Sequence, residues 1–286
     1  MKFYVSSAFL QAGEVVQIAR AADELGYEGM AIPDHVVNLE TLTTPYPYTP
    51  DGQRRWQPFT DWLDPWVLVG ALAQVTERMK FVTTVYIPAM RDPYSAAKAI
   101  GTAAVLSGGR VELGVGVGWC EEEFDLLGQP FARRGKRTDE MLKLFKVLWE
   151  PGWSEFEGEF YRTPRLEMTP TPPPIPIYSG GLSDVALRRA ARNDGWIGDL
   201  IGLDQAIASI ERIRGLRAAN GLGMDGYTVI TPLIDAYLPE HYQRAEDAGI
   251  DAILTMPWMF YGGPNASLGE KIDGMRRFRA DLALDA

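Results

Sequence analysis

Asp34 and His35 stand side by side after the apolar residues that close on Ile32 and Pro33. An acid and an imidazole at the C-terminal end of a strand are placed to bind and protonate a polar ring or a substrate carbonyl. The bland alternative is that Asp34 caps a turn and His35 packs beneath a loop. The chain has only two histidines, His35 and His241, which removes most zinc-hydrolase layouts and any HExxH site. His241 opens a helix beside Glu240, and a surface or capping role is expected for it, on the side of the molecule away from the chemistry. Cys120, the single cysteine, stands beside Trp119 with no histidine near it in sequence, so no nucleophile is expected there.

Two glycine-rich stretches allow a ligand close to the backbone. Leu113-Gly114-Val115-Gly116-Val117-Gly118-Trp119 leaves one face of a strand bare for a flat ring or a phosphate. Small residues that fit packing layers inside a barrel give the same pattern. The stretch lacks the strand–GxGxxG–helix frame of a dinucleotide site, so NAD is not expected. Ser179-Gly180-Gly181 leads into Leu182-Ser183-Asp184 at a helix start, where unpaired N–H groups and the Ser179 hydroxyl suit an anion. A plain turn with Ser183 as the helix cap is the alternative. Glu121, Glu122 and Glu123 are expected as a solvated helix start. There is no P-loop, no GxSxG and no metal-spaced cluster, so no metal is expected.

The hydrophobic period supplies the scaffold for these residues. Strands are expected at 2–7, 28–32, 81–87, 111–117, 175–178, 195–199, 227–234 and 252–256. Helices are expected at 13–25, 65–76, 93–106, 135–149, 183–193, 204–220, 240–248 and 266–280. Eight strand–helix units without an obvious linker predict a (β/α)8 TIM barrel in one domain, residues 1–286, with an open doubly wound sheet as the alternative. Insertions follow strand 2 (35–64) and strand 4 (118–134), on the barrel face where active sites gather, and a small hairpin at 155–162 precedes strand 5. The first insertion carries Tyr46, Tyr48, Trp56, Phe59 and Trp62. Loops of that size are usually lids or disordered, and the aromatics argue against disorder.

The 286 residues are 46% hydrophobic and 23% charged, an ordinary globular composition. With 28 basic against 38 acidic residues the net charge is −10, which repels nucleic acid and anionic membranes. A single cysteine fits a reducing compartment, the first residues MKFYVSSAFL carry no secretory signal, and no apolar run is long enough for a membrane span. A cytoplasmic protein acting on a small molecule is the expectation.

Four ordered segments carry a resemblance over nearly the whole chain: PDHVV (33–37), YPYTPDG (46–52), LSGGRVELGVGVGWCEEEFDLLGQPFARRGKRTDE (106–140) and IYSGGLSDVALRRAARNDGW (177–196). Together they resemble the luciferase-like monooxygenase superfamily, and within it the coenzyme F420-dependent oxidoreductases. The resemblance implies a barrel with insertions that holds a flavin or deazaflavin at its C-terminal mouth. By motif it puts Asp34 and His35 near the deazaflavin ring, with His35 as acid or base. It puts Thr84 and Val85 where many members have a non-proline cis peptide supporting the ring. It assigns Gly116, Gly118 and Trp119 to the cofactor's surroundings, and Ser179, Gly180 and Gly181 to its phosphate. Sugar-phosphate dehydrogenases of the family have a glutamate directly after the strand 4 glycines, where this chain has Trp119. A larger apolar or aromatic substrate is expected instead, lined by Tyr46, Trp56, Trp62, Trp119 and Trp258; those aromatics would equally serve as loop core. The implied reaction is hydride transfer between F420 and a substrate carbon, with His35 moving the accompanying proton. Reduced FMN with oxygen is the alternative, a non-catalytic flavin- or deazaflavin-binding protein a further one, and family habit suggests a homodimer.

Overall fold

Short β-branched runs alternating with amphipathic segments form, in the computed structural model, a closed ring of parallel strands inside a ring of helices; residues Met1–Leu282 are described. In chain order the elements begin β1 (Lys2–Ser6), α1 (Val15–Glu24), β2 (Gly29–Ile32), α2 (Pro65–Leu72), β3 (Lys80–Thr83), α3 (Pro93–Leu106) and β4 (Val111–Val115). They continue with α4 (Glu121–Leu126), α5 (Arg134–Leu148), β5 (Ser154–Glu157), β6 (Arg162–Leu166), β7 (Ile177–Gly180) and α6 (Asp184–Ala190). The last are β8 (Gly195–Ile197), α7 (Leu203–Ala218), β9 (Thr228–Thr231), α8 (Pro239–Asp247), β10 (Ala252–Thr255) and α9 (Leu268–Asp281), with short 3-10 turns at Pro88–Met90 and Pro257–Phe260. Around the barrel the strands run β1-β2-β3-β4-β7-β8-β9-β10 and back to β1, while β5 and β6 form a separate antiparallel pair. This is the (β/α)8 barrel that the sequence predicts.

Alternation along each strand divides the core in two. Phe3, Val5, Met30, Ile32, Phe81 and Ile177 face the helices in the large outer cluster. Tyr4, Ala31, Val82, Tyr178, Ile197, Ile230 and Ala252, one from each of seven strands, fill the barrel interior. At the N-terminal end of that interior Glu112 accepts hydrogen bonds from the hydroxyls of Tyr4 (2.6 Å) and Tyr178 (3.2 Å), with Lys80 Nζ at 3.5 Å. Helices α2 and α3 start alike, each with proline at its first position and an aspartate, Asp64 or Asp92, capping backbone N–H groups. A capping box of Ser267 and Glu270 opens α9.

Several boundaries differ from expectation. Strand 3 was expected to reach residue 87, but β3 stops at Thr83, just before the Thr84–Val85 peptide, which is cis. The hairpin spans 154–166, longer than the expected 155–162, and its turn at 158–161 is held by the Glu140 carboxylate, which accepts the N–H groups of Glu159, Phe160 and Tyr161 (2.9, 2.7 and 2.8 Å). Strand 5 runs over 177–180 rather than 175–178. Among the described residues no helix is long and apolar enough to cross a membrane.

Candidate active site at the barrel mouth

Beyond β2 the adjacent Asp34 and His35 go separate ways. Asp34 is buried, and its carboxylate accepts from both terminal nitrogens of Arg91 (2.6 and 2.7 Å) and from Ile87 N (2.9 Å). Burial pushes its pKa up while the guanidinium pulls against that. Arg91 also lies over the Tyr86 ring at 4.4 Å. Asp34 therefore ties the end of β2 to the segment after β3, and does not stand at the mouth beside His35 as the pair was expected to. His35 turns into the mouth. Its ring packs against Trp56 (4.8 Å between centroids), Trp62 (5.0 Å) and Trp119 (6.3 Å), and Tyr46 closes the group at 5.1 Å from Trp119.

The partner of His35 is Glu123, 3.1 Å from Nδ1 through Oε2. Its other oxygen accepts from Val36 N (2.7 Å) and Val37 N (3.3 Å). Burial opposes the charge on Glu123, but the imidazole and the two N–H donors hold its carboxyl below the ordinary glutamate value. Next to it Glu122 accepts from the backbone and hydroxyl of Thr43 (2.6 and 2.7 Å) and from Thr44 N (2.9 Å), which also holds it low against desolvation. The expectation of a solvated glutamate run is thus corrected: Glu123 is 2% exposed and Glu122 is a backbone anchor. Facing the barrel is decided by helix phase on α4, which buries Glu123 together with Phe124.

Residues 35–64 form an ordered cover over the mouth. Arg55 reaches across to Asp199, beyond β8, through a bidentate pair (2.8 and 2.9 Å). Asp61 accepts Ala12 N (2.8 Å) from the loop after β1. With the Glu122 and Glu123 anchors, this cover is tied to the rim at three places. No sequence signal pairs Arg55 with Asp199 or Arg91 with Asp34, since both contacts depend on how the insertion and the turn after β3 fold back.

Under the cover Val85 is the floor of the mouth. A Cβ placed on Gly116 would fall 2.6 Å from Val85 Cγ2, and one on Gly180 would fall 2.7 Å from Val85 Cγ1. A Cβ on Gly118 would strike Phe124 at 2.6 Å. These glycines permit a close approach of Val85 and Phe124, as the packing alternative requires. At Ser179-Gly180-Gly181, where a phosphate was expected, part of the polar surface is already engaged by the protein. Ser179 points to the helix layer, fully buried, and its hydroxyl accepts from Asn193 Nδ2 (2.9 Å). Gly181 N pairs with Ile197 O (3.3 Å), Ser183 caps α6, and Asp184 puts a negative charge in the first turn. Trp258 does not join the mouth aromatics: it is 3% exposed and packs against α9, where a Cβ on Gly274 would fall 2.8 Å from its Cα. His241 has the local role expected, its Nδ1 accepting Tyr237 N (3.1 Å), but α8 begins at the C-terminal rim, so its side of the barrel was misread.

One observation at the mouth fits a flat, polar-edged ring such as a deazaflavin or flavin. The Trp62 indole N–H, next to His35, is buried with no acceptor, and His35 makes no bond through Nε2 among the described residues. A ligand carbonyl or ring nitrogen that reached this donor would satisfy it.

Residues 4–234 match the sequence profile of the luciferase-like monooxygenase family. The chain belongs to that family. An uncharacterized protein of Mycobacterium tuberculosis is 37% identical to this luciferase-like chain over 294 residues, covering 99% of each. An F420-dependent glucose-6-phosphate dehydrogenase of Segniliparus rotundus is 33% identical over 190 residues, 64% of this chain and 52% of its own. An FMNH(2)-dependent dimethylsulfone monooxygenase of Pseudomonas putida is 30% identical over 170 residues, 56% and 47%. Among solved structures, an F420-dependent secondary alcohol dehydrogenase in complex with an F420-acetone adduct superimposes with a TM-score of 0.77 over 99% of both chains at 16% identity, a likeness of fold. The luciferase-like family is one of oxidoreductases and monooxygenases, and relatives of this chain use F420 or reduced FMN.

Proposed function

We propose that this chain is a coenzyme F420-dependent oxidoreductase acting on an apolar or aromatic organic substrate. The observation that carries the reading is His35, an imidazole fixed by a buried carboxylate and walled by three indoles at the mouth of the barrel. A bound deazaflavin supplies hydride transfer at its carbon 5, two electrons passing to or from a substrate carbon. The protein's part would be to hold the ring beside His35, next to the Thr84–Val85 backbone, and to move the accompanying proton at His35 Nε2. Tyr46, Trp56 and Trp119 exclude water and give an apolar substrate a wall to pack on. The proposal includes a homodimer: α2 carries no polar side chain from Pro65 to Leu72, yet Val67 is 74% exposed, and a helix apolar all round is ordinarily covered. Sedimentation equilibrium reads this directly.

Titration of the purified protein with F420 and with FMN, followed by tryptophan fluorescence, tests the cofactor. Three of the eight tryptophans surround His35, so ring binding should quench strongly. Micromolar F420 binding with much weaker FMN binding is expected. The opposite preference, with oxygen consumed in the presence of reduced FMN, would replace the proposal with a flavin monooxygenase. Tight binding of either without turnover on any substrate would reduce it to a carrier.

A further inference from the structure

Glu123 stands outside the residues that touch a ligand, and its two oxygens do different work. Oε1 holds the backbone at Val36 and Val37, the first residues of the cover, while Oε2 meets His35 Nδ1 at 3.1 Å. A carboxylate is an acceptor only. With Glu123 ionised, the proton between them must sit on Nδ1, and a neutral His35 then presents a bare Nε2. A free histidine side chain in water prefers the other neutral tautomer, with its proton on Nε2.

We propose that Glu123 is a positioning residue that fixes His35 as the Nδ1–H tautomer, so that Nε2 alone gives and takes the proton in the reaction. This rests on the reading of His35 as the proton-transfer group. The indoles of Trp56, Trp62 and Trp119 limit ring rotation, and Glu123 decides which nitrogen faces inward on the carboxylate. Because the same carboxylate grips Val36 and Val37, the ring and the start of the cover are set together. Opening the cover at this end would release the histidine's orientation, so productive proton transfer belongs to the closed form.

The molecule carries its own control. His241 Nδ1 accepts the Tyr237 N–H, which requires the opposite tautomer, with the proton on Nε2. Nitrogen-15 NMR of histidine-labelled protein contains only these two side chains. The unliganded wild type, at a pH where both rings are neutral, should show one histidine of each tautomer, with His35 assigned by loss of its signals in His35→Gln. Two Nε2–H rings would overturn the proposal without any variant. Glu123→Gln keeps an oxygen for Val36 N but removes the acceptor-only carboxylate, and should move His35 toward the Nε2–H form while His241 stays unchanged. An unmoved His35 tautomer would also overturn it. In turnover assays Glu123→Gln should lose roughly 10- to 100-fold in kcat with KM little changed, and Glu123→Asp should recover part of that. Should the wild type turn over no substrate with any cofactor, the oxidoreductase reading falls while the tautomer result still decides the role of Glu123.

Discussion

The two ends of the barrel each bury a glutamate, and they treat it in opposite ways. At the N-terminal end Glu112 meets two tyrosine hydroxyls and sits at the edge of reach of Lys80, and burial pushes its carboxyl up from the ordinary value. At the mouth Glu123 is as deeply buried, yet an imidazole and two backbone N–H groups hold it down. Burial depth therefore does not fix the charge of a carboxylate; the donors that face it do. The N-terminal group closes a packed interior. The mouth group keeps a charge where the start of a loop is held and where, on the proposal above, a proton is directed.

The largest effect should come from exchanging injuries between the two ends. His35→Ala should lower turnover per folded molecule by about 10²- to 10⁴-fold, beyond whatever stability is lost by leaving Glu123 without its imidazole partner. Glu112→Ala should do the reverse, costing about 1–3 kcal/mol of stability by stranding the hydroxyls of Tyr4 and Tyr178, with turnover per folded molecule preserved. Denaturant unfolding and steady-state kinetics on both variants check the crossing; an inactive but stable Glu112→Ala would break it.

Acid sharpens the same contrast, because the signs differ. Glu122 and Glu123 are held below the ordinary glutamate value of 4.5, so their contribution is whole above that pH and is lost as pH falls through their folded values. Glu112 is held above 4.5, so its contribution is whole at low pH and is lost as pH rises from 4.5 through its folded value. Acidification should thus loosen residues 35–64 before the barrel. Hydrogen exchange by mass spectrometry at stepped pH should show amides 36–44 losing protection first, and simultaneous loss across the barrel strands would contradict it.

The smallest effect belongs to the rim tether. Arg55 and Asp199 are partly exposed, and such a pair is worth about 0.2–1 kcal/mol. Asp199→Asn should speed tryptic cleavage at Arg54 or Arg55 by at most about fivefold, with the melting temperature unmoved.

Much of this was legible in the residues. Period and punctuation gave eight strand–helix units, and α3 falls on 93–106 as expected, since Asp92-Pro93 fixes its start and Ser107-Gly108-Gly109 follows its end. His35 and the aromatics Tyr46, Trp56, Trp62 and Trp119 do converge. The chain pattern could not separate Asp34 from His35, because neighbours on an irregular segment have no fixed relative direction. Nor could it choose among three consecutive glutamates, since the phase of α4 against the barrel is set by the packing of Phe124. Gly116, Gly180 and Ser179 were ambiguous for one reason: a small residue serves a close neighbour whether that neighbour is protein or ligand, and the chain pattern does not show that Val85 and Asn193 are neighbours.

Val85, wedged between Gly116 and Gly180, has one more consequence. By stopping the bore just below the rim it separates the parts of the sequence that must stay constant from those free to drift. Whatever a ligand meets above Val85 is supplied by loops, chiefly residues 35–64, which are attached to the barrel by a few side-chain carboxylates. An exchange of that segment for another of different shape would alter what the mouth admits while leaving the folding instructions of the strands intact. Selection on substrate choice and selection on stability can thus act on different stretches of one gene.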